Sequence, residues 1–195
     1  MLPPDDHVHS EWSWDTLAGD MERTCARAVE IGLPSVAFTE HADFSPYLFH
    51  DSEMSYMPSE FLRHMGGTTV LRQPEIDVDA YLACIERCRQ RFPALRILTG
   101  VEISEPHWHP GKVAQLVAGN RLERVLASMH SRRVEGGARL LDFYFASESP
   151  HEVVRSYLEE ILQMIEGSSV FQVLAHIDYP IRHWPRTGTA YQPSM

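Results

Sequence analysis

The chain has 195 residues, 44% of them hydrophobic and 23% charged, which supports one folded core and is short for two, so a single domain over 1–195 is expected. Acidic residues outnumber basic ones by 27 to 17, a formal charge of -10, and a field of that sign argues against nucleic acid as a partner. The longest apolar runs fall far short of the roughly 20 residues that span a bilayer, and the opening Met-Leu-Pro-Pro-Asp-Asp lacks the basic start and apolar stretch of a secretory signal; no membrane partner and a cytoplasmic location are expected.

In chain order, His7 to His9 reads as a short strand, and Leu17, Met21, Cys25, Ala28 and Val29, closed by Gly32, have helical spacing and a helix terminator. Ser35 to Thr39 reads as a second strand. From Ala42 to Ile76 periodicity is weak while Pro, Gly and aromatic residues recur, the composition of a long connecting excursion of the kind that covers sites. A second helical stripe runs Val78, Tyr81, Leu82, Ile85, Cys88 and Phe92 and stops at Pro93; Arg96 to Ile103 and Arg124 to Met129 are strand candidates. Ser149, Pro150 and Glu152 form a capping box with proline at the first helical position, opening a third helix whose stripe is Val153, Val154, Tyr157, Leu158, Ile161, Leu162 and Ile165. Phe171 to Ile177 is the fifth strand, and the tail from Pro180 to Met195 is irregular. Cys25, Cys84 and Cys88, odd in number, read as buried thiols and not as a disulfide framework.

Strands alternating with helices argue for a parallel α/β arrangement, in which functional groups gather at the carboxyl ends of the strands. Histidine is the unusual residue, with 11 in the chain, and every strand candidate ends in a metal-capable side chain. These are His7 and His9, then His41, Glu102, His130, and His176 with Asp178. A single strand histidine is usually a hydrogen-bonded core residue. Two at i and i+2, however, project both rings to one face, as a chelating pair requires. Imidazoles and carboxylates converging on one mouth suit Zn, Mn or Fe.

The segments Asp-His-Val-His-Ser at 6–10, Phe-Thr-Glu-His at 38–41, Gly-Val-Glu-Ile at 100–103, Ser-Met-His-Ser at 128–131 and Ala-His-Ile-Asp at 175–178 resemble, in order and spacing, the PHP (polymerase and histidinol phosphatase) metal-dependent phosphoesterases, in particular their histidinol-phosphatase branch. The resemblance implies a distorted seven-stranded (β/α) barrel with up to three divalent ions at its mouth, hydrolysing phosphate esters. Carried over by position, it makes His7 and His9 ligands of one ion, bridged by Glu102 to a second ion on His130 and His176, with Asp15 and His41 on a third. Asp15 is equally a residue type that caps helices, and Asp178 either orients a histidine or caps the turn after it.

One feature departs from the family pattern. Its members close the site with an Asp-X-His motif on a late strand, whereas this sequence runs 17 residues past Asp178 without one. The barrel is therefore expected to be incomplete at its C-terminal end, with the first and fifth strands as open edges and Phe171, Val173 and Ile177 exposed. Such an edge leads to the expectation of a homodimer that covers it, or of a marginal monomer stabilised by metal, and of fewer than three ions.

The activity implied is metal-assisted hydrolysis of a small phosphomonoester, with histidinol phosphate favoured by the resemblance alone; the alternative is a catalytically impaired metal-binding remnant acting through a partner. Glu102, His130 and Arg132 are the expected catalytic residues. Arg132 and Arg133 past His130, or Arg182 past Asp178, are candidates for phosphate oxygens, since guanidinium matches phosphate in bidentate fashion, although each is also an ordinary solvated surface residue. His107 and His109 are candidates to donate a proton or touch substrate.

Overall fold

The computed structural model describes residues 2–119 and 121–185; the part of the irregular tail from 186 to 195 lies outside the described residues. The chain runs β1 (Asp5–Val8), α1 (Met21–Ile31), β2 (Ser35–Ala42), β3 (Tyr47–Leu48), α2 (Ser59–Leu62), β4 (Val70–Leu71), α3 (Val78–Arg91), β5 (Arg96–Ser104), α4 (Pro110–Val117), β6 (Arg124–Ser128), β7 (Ser131–Val134), β8 (Gly137–Leu140), α5 (Pro150–Gly167) and β9 (Val173–Leu174). Five strands form one parallel sheet in the order β1-β2-β5-β6-β9. In a flat sheet, four intervals of about 4.8 Å would separate the outer strands by about 19 Å. Yet the ring centroids of His7 on β1 and His176 just past β9 are 5.6 Å apart. The sheet curls into a half-barrel whose two edges converge at the mouth.

The helices begin where local chemistry directs. Asp20 accepts from the Arg23 N–H at 2.7 Å to open α1, and Gly32 closes it with φ 76°, a left-handed turn that glycine makes without strain. Leu17, included in the expected stripe, precedes the helix and is 59% exposed. Asp77 caps α3 through the Ala80 N–H. Met21, Cys25 and Ala28 of α1 and Tyr81, Ile85 and Cys88 of α3 pack on Val36, Phe38 and Ile97. Cys25, Cys84 and Cys88 are free and buried, and burial pushes the Cys25 thiol up to about 12. At Gly100 a Cβ would lie 2.8 Å from Thr39 Cγ2 and 2.9 Å from the Phe38 and Arg124 carbonyl oxygens, so only glycine lets β2, β5 and β6 approach there.

The capping box of α5 forms: the Glu152 N–H donates to Ser149 Oγ and the Ser149 N–H to Glu152 Oε2. Val153, Tyr157, Ile161 and Met164 bury against Ala127, Met129 and Leu141. Leu158, Leu162 and Ile165, which belong to the same expected stripe, are instead 42–56% exposed. The stripe is wider than the surface that covers it.

The excursion after β2 has more structure than its composition suggests. Its β3 and β4 join the β7–β8 hairpin in a second sheet of order β4-β3-β8-β7, with Tyr47, Phe49, Met65 and Leu71 packed behind it. The fifth parallel strand shrinks from the expected Phe171 to Ile177 to two residues, because the Gln172 side chain accepts from the Val125 N–H and His176 turns to φ 21°. Among the described residues no strand pairs with its outer edge; Val173 and Ile177 are exposed as expected, whereas Phe171, also expected exposed, is partly buried against Val101, Ile103 and Val125. Among the described residues no helix is long and apolar enough to cross a membrane.

Candidate metal centre

The mouth is organised by one carboxylate. Glu102, on β5 at the middle of the sheet, is fully buried, and its two oxygens divide five histidines between them. Oε2 lies 2.9 Å from His7 Nε2, 3.2 Å from His9 Nε2 and 3.5 Å from His41 Nδ1. Oε1 lies 2.7 Å from His176 Nε2 and 3.5 Å from His130 Nε2. Burial alone would favour the neutral acid, but hydrogen bonds from His130, His176, His7 and His9 prevail and hold Glu102 well below the usual carboxylate range. The same carboxylate overrides burial at His130 and raises it to about 9, so an ion arriving there displaces a proton. At His41 burial prevails and the imidazole is pushed down.

Buried groups behind the ring orient the ligands. Ser13 Oγ donates to Glu40 Oε2 at 2.6 Å, so the 3.1 Å contact with His9 Nδ1 requires an N–H on that nitrogen. His9 Nε2, which faces Glu102, is thereby the nitrogen left to hold an ion once the proton it shares with that carboxylate is displaced. Glu40 also accepts from Ser10 N–H and Oγ, and burial raises its carboxyl against those bonds. On the far side Glu105, at φ 48°, accepts from the backbone N–H groups of His130 and Ser131 at 2.7 and 2.9 Å. Burial pushes Glu105 up to about 7. His130 Nδ1 lies 2.9 Å from Ser104 Oγ.

Among the described residues three groups each bring their potential ligand atoms within 4.8 Å of one another: His7, Glu102 and His176; His9, His41 and Glu102; and His41, Asp43 and His130. Asp15 stands 3.5 Å from His41 Nε2. Asp15 Oδ1, His41 Nδ1 and His176 Nδ1 are buried without a hydrogen-bond partner, which suits a site built for cations. The cavity of about 510 Å³ is lined by three carboxylates, Asp15, Asp43 and Glu102, against one guanidinium, Arg182, a local charge that divalent ions offset.

All seven expected ligands, His7, His9, Asp15, His41, Glu102, His130 and His176, line this cavity. Arg132 does not. Its guanidinium donates to both Glu148 oxygens at 2.7 and 2.8 Å and to Ser156 Oγ, and lies over the Tyr144 ring, so the expected substrate contact is replaced by a tie from β7 to α5. Arg133 is exposed over Trp108. His107 shares Glu160 Oε1 with Trp108 Nε1, and His109 contacts Ser45 Oγ at 2.7 Å; neither lines the cavity. Asp178 is exposed and makes no capping bond from its side chain. Asp43, Glu40, Glu105 and Tyr179, whose ring lies 5.0 Å from that of His130, were not anticipated. Only Asp43 had a sequence signal, its i+2 spacing from His41.

A half-barrel with histidines and a shared carboxylate at its carboxyl mouth is the class of protein that fold and site define. The PHP domain family matches residues 5–192, and the chain belongs to that family. It is 25% identical over 186 residues to the histidinol-phosphatase of Lactococcus lactis subsp. lactis (strain IL1403), covering 94% of this chain and 59% of that protein. The Lactococcus lactis histidinol phosphate phosphatase structure, complexed with zinc, L-histidinol and phosphate, is similar with a TM-score of 0.68 at 20% identity, covering 92% of this chain and 59% of that one. A putative histidinol phosphatase from Listeria monocytogenes gives a TM-score of 0.62 at 20% identity, covering 85% and 62%. The chain thus spans about three-fifths of the length of these relatives.

Proposed function

We propose that the chain is a metal-dependent phosphatase acting on a small phosphomonoester, with histidinol phosphate as its first candidate substrate. The observation that carries this reading is the division of the Glu102 carboxylate, His7 and His9 on one oxygen and His130 and His176 on the other. Those residues would hold two divalent ions, Zn, Mn or Fe, with Asp15 and His41 beside a third; bound ions supply an activated water and Lewis-acid clamping of phosphoryl oxygens. Glu102 stays ionised and joins the two sides. Ser13 fixes the His9 tautomer, and Arg182, on the cavity wall, is the cation available to phosphate in place of Arg132. Trp14, Tyr47, Phe61 and Leu140 offer an apolar wall to the organic part of the ester. Histidinol phosphate is favoured by the zinc, L-histidinol and phosphate of the Lactococcus complex.

The test is phosphate release from histidinol phosphate by metal-reconstituted protein, with p-nitrophenyl phosphate as a generic ester. Glu102→Gln is expected to lower both metal affinity and rate by more than the roughly 10–100-fold typical of groups behind the ligands. Unchanged metal content in Glu102→Gln rules the bridge out. The exposed face of α5 favours a second reading, a metal-binding chain that acts through a partner; retention of ions with no phosphate released from any ester supports it.

A further inference from the structure

We infer that Asp43 is a metal ligand and forms, with His41 and His130, an ion position outside the motif-derived ligand set. The inference rests on the reading of the mouth as a metal centre and adds a residue to it. His41 lies near the end of β2 and Asp43 two residues on, the i, i+2 spacing that turns two side chains to one face. The curl of the sheet brings His130 from beyond β6 to the same place, its ring centroid 5.5 Å from that of His41. One ligand atom from each of the three residues falls within 4.8 Å of the others.

Two further observations point to a cation. Asp43 is 9% exposed, and its oxygens accept only from neutral donors, Trp14 Nε1 on Oδ2 and the Tyr47 hydroxyl on Oδ1 at 3.2 Å. Among the described residues Asp43 makes no ion pair within 4.0 Å, while one nitrogen each of His41 and His130 stays within 4.8 Å of a carboxylate oxygen, a separation that leaves room for an ion between the three groups. His41 Nδ1, 3.5 Å from Glu102 Oε2, is buried without a hydrogen-bond partner. Trp14 and Tyr47 hold the carboxylate in place while leaving each oxygen a further lone pair. Two imidazoles and one carboxylate make a donor set typical of Zn with one position left open for water or a phosphoryl oxygen. His41 also stands in the group with His9 and Glu102, and His130 shares Glu102 Oε1 with His176, so the Asp43 ion competes with its neighbours for both imidazoles.

The experiment strips the full chain with chelator, reloads it with Zn or Mn, and counts ions per chain with their affinities in parent and Asp43→Asn, folding being checked by circular dichroism. The variant is expected to lose one ion, or to bind it at least about tenfold more weakly, while the ions on His7, His9, Glu102 and His176 persist. A folded Asp43→Asn with the parent's stoichiometry and affinities overturns the inference and leaves the metal centre standing; a parent that binds no ion overturns both. Asp43→Cys reloaded with cobalt separates ligation from mere support. A thiolate-to-cobalt charge-transfer band absent from the parent supports ligation, and a folded variant without the band overturns it.

Discussion

Strands β2 and β5 pair over eight consecutive residues, from Ser35 with Arg96 to Ala42 with Ile103, and α1 and α3 cover them with side chains almost wholly removed from water. Strands β6 and β9 share two pairs, Leu126 with Val173 and Ala127 with Leu174, and the helix on that side, α5, leaves an apolar face to solvent. Both sides nevertheless deliver histidines to the same carboxylate, His7 at 2.9 Å and His176 at 2.7 Å. The ligands on the first side are fixed by a dense core and by Ser13 and Glu40. His176 leans on a short strand, a positive φ and the Tyr157 hydroxyl that donates to its carbonyl at 3.2 Å. The difference teaches that the two sides share one carboxylate but not one degree of support, and that the β9 side is the one that a bound ion or a covering surface has most room to stabilise.

The largest effect is expected on the well-covered side. Ile85, buried between α3 and the sheet, should cost about 2–5 kcal/mol on truncation to Ala, through lost transfer energy and the cavity left behind; denaturant unfolding measures it. A loss under about 1 kcal/mol would break the contrast between the two sides.

A smaller effect is expected at Glu123, which ties β5 to β6. It accepts from the Thr99 N–H at 2.9 Å, the Thr99 hydroxyl at 3.1 Å and Arg89 at 2.6 Å. Burial opposes its ionisation, but the bonds from Thr99 and Arg89 prevail and lower its carboxyl. Because the folded value lies below the unfolded one, about 4.3, its contribution is complete above that pH and fades as pH falls through the folded value. Its side chain is 44% exposed, so water screens the charge and the contribution stays below about 1 kcal/mol. Glu123→Gln should remove that increment at neutral pH and flatten the acid limb of the stability curve; an unaltered acid limb would show that the tie carries no pH-linked stability.

The smallest effect on the fold is expected at the bare face. In a monomer Leu162→Glu should change stability by no more than about 0.5 kcal/mol. If the homodimer expected to cover the open sheet edge also buries α5, the parent sediments as a dimer and Leu162→Glu as a monomer. A parent that sediments as a monomer at every concentration removes the dimer and sharpens the contrast.

Much of this molecule was decided within a few residues of chain. The alternation of strands and helices, the Ser149–Glu152 box, the stop at Gly32 and the same-face pairing of His7 and His9 each depend on neighbours two to four positions away. Such features are legible without a structure, and so was the placing of a metal-capable side chain at every strand end. Tertiary structure alone decided the rest. Arg132 looked free for phosphate until Glu148 and Ser156 were brought beside it. Leu158 and Leu162 matched Val154 and Ile161 in pattern and differ from them only in what lies opposite. The second sheet required four strands of two to four residues, too short for periodicity to register. Asp43 carried the spacing of a chelating residue, but its nearness to His130 depends on the curl of the sheet. That curl is a cumulative twist over five strands, and no local window of sequence contains it.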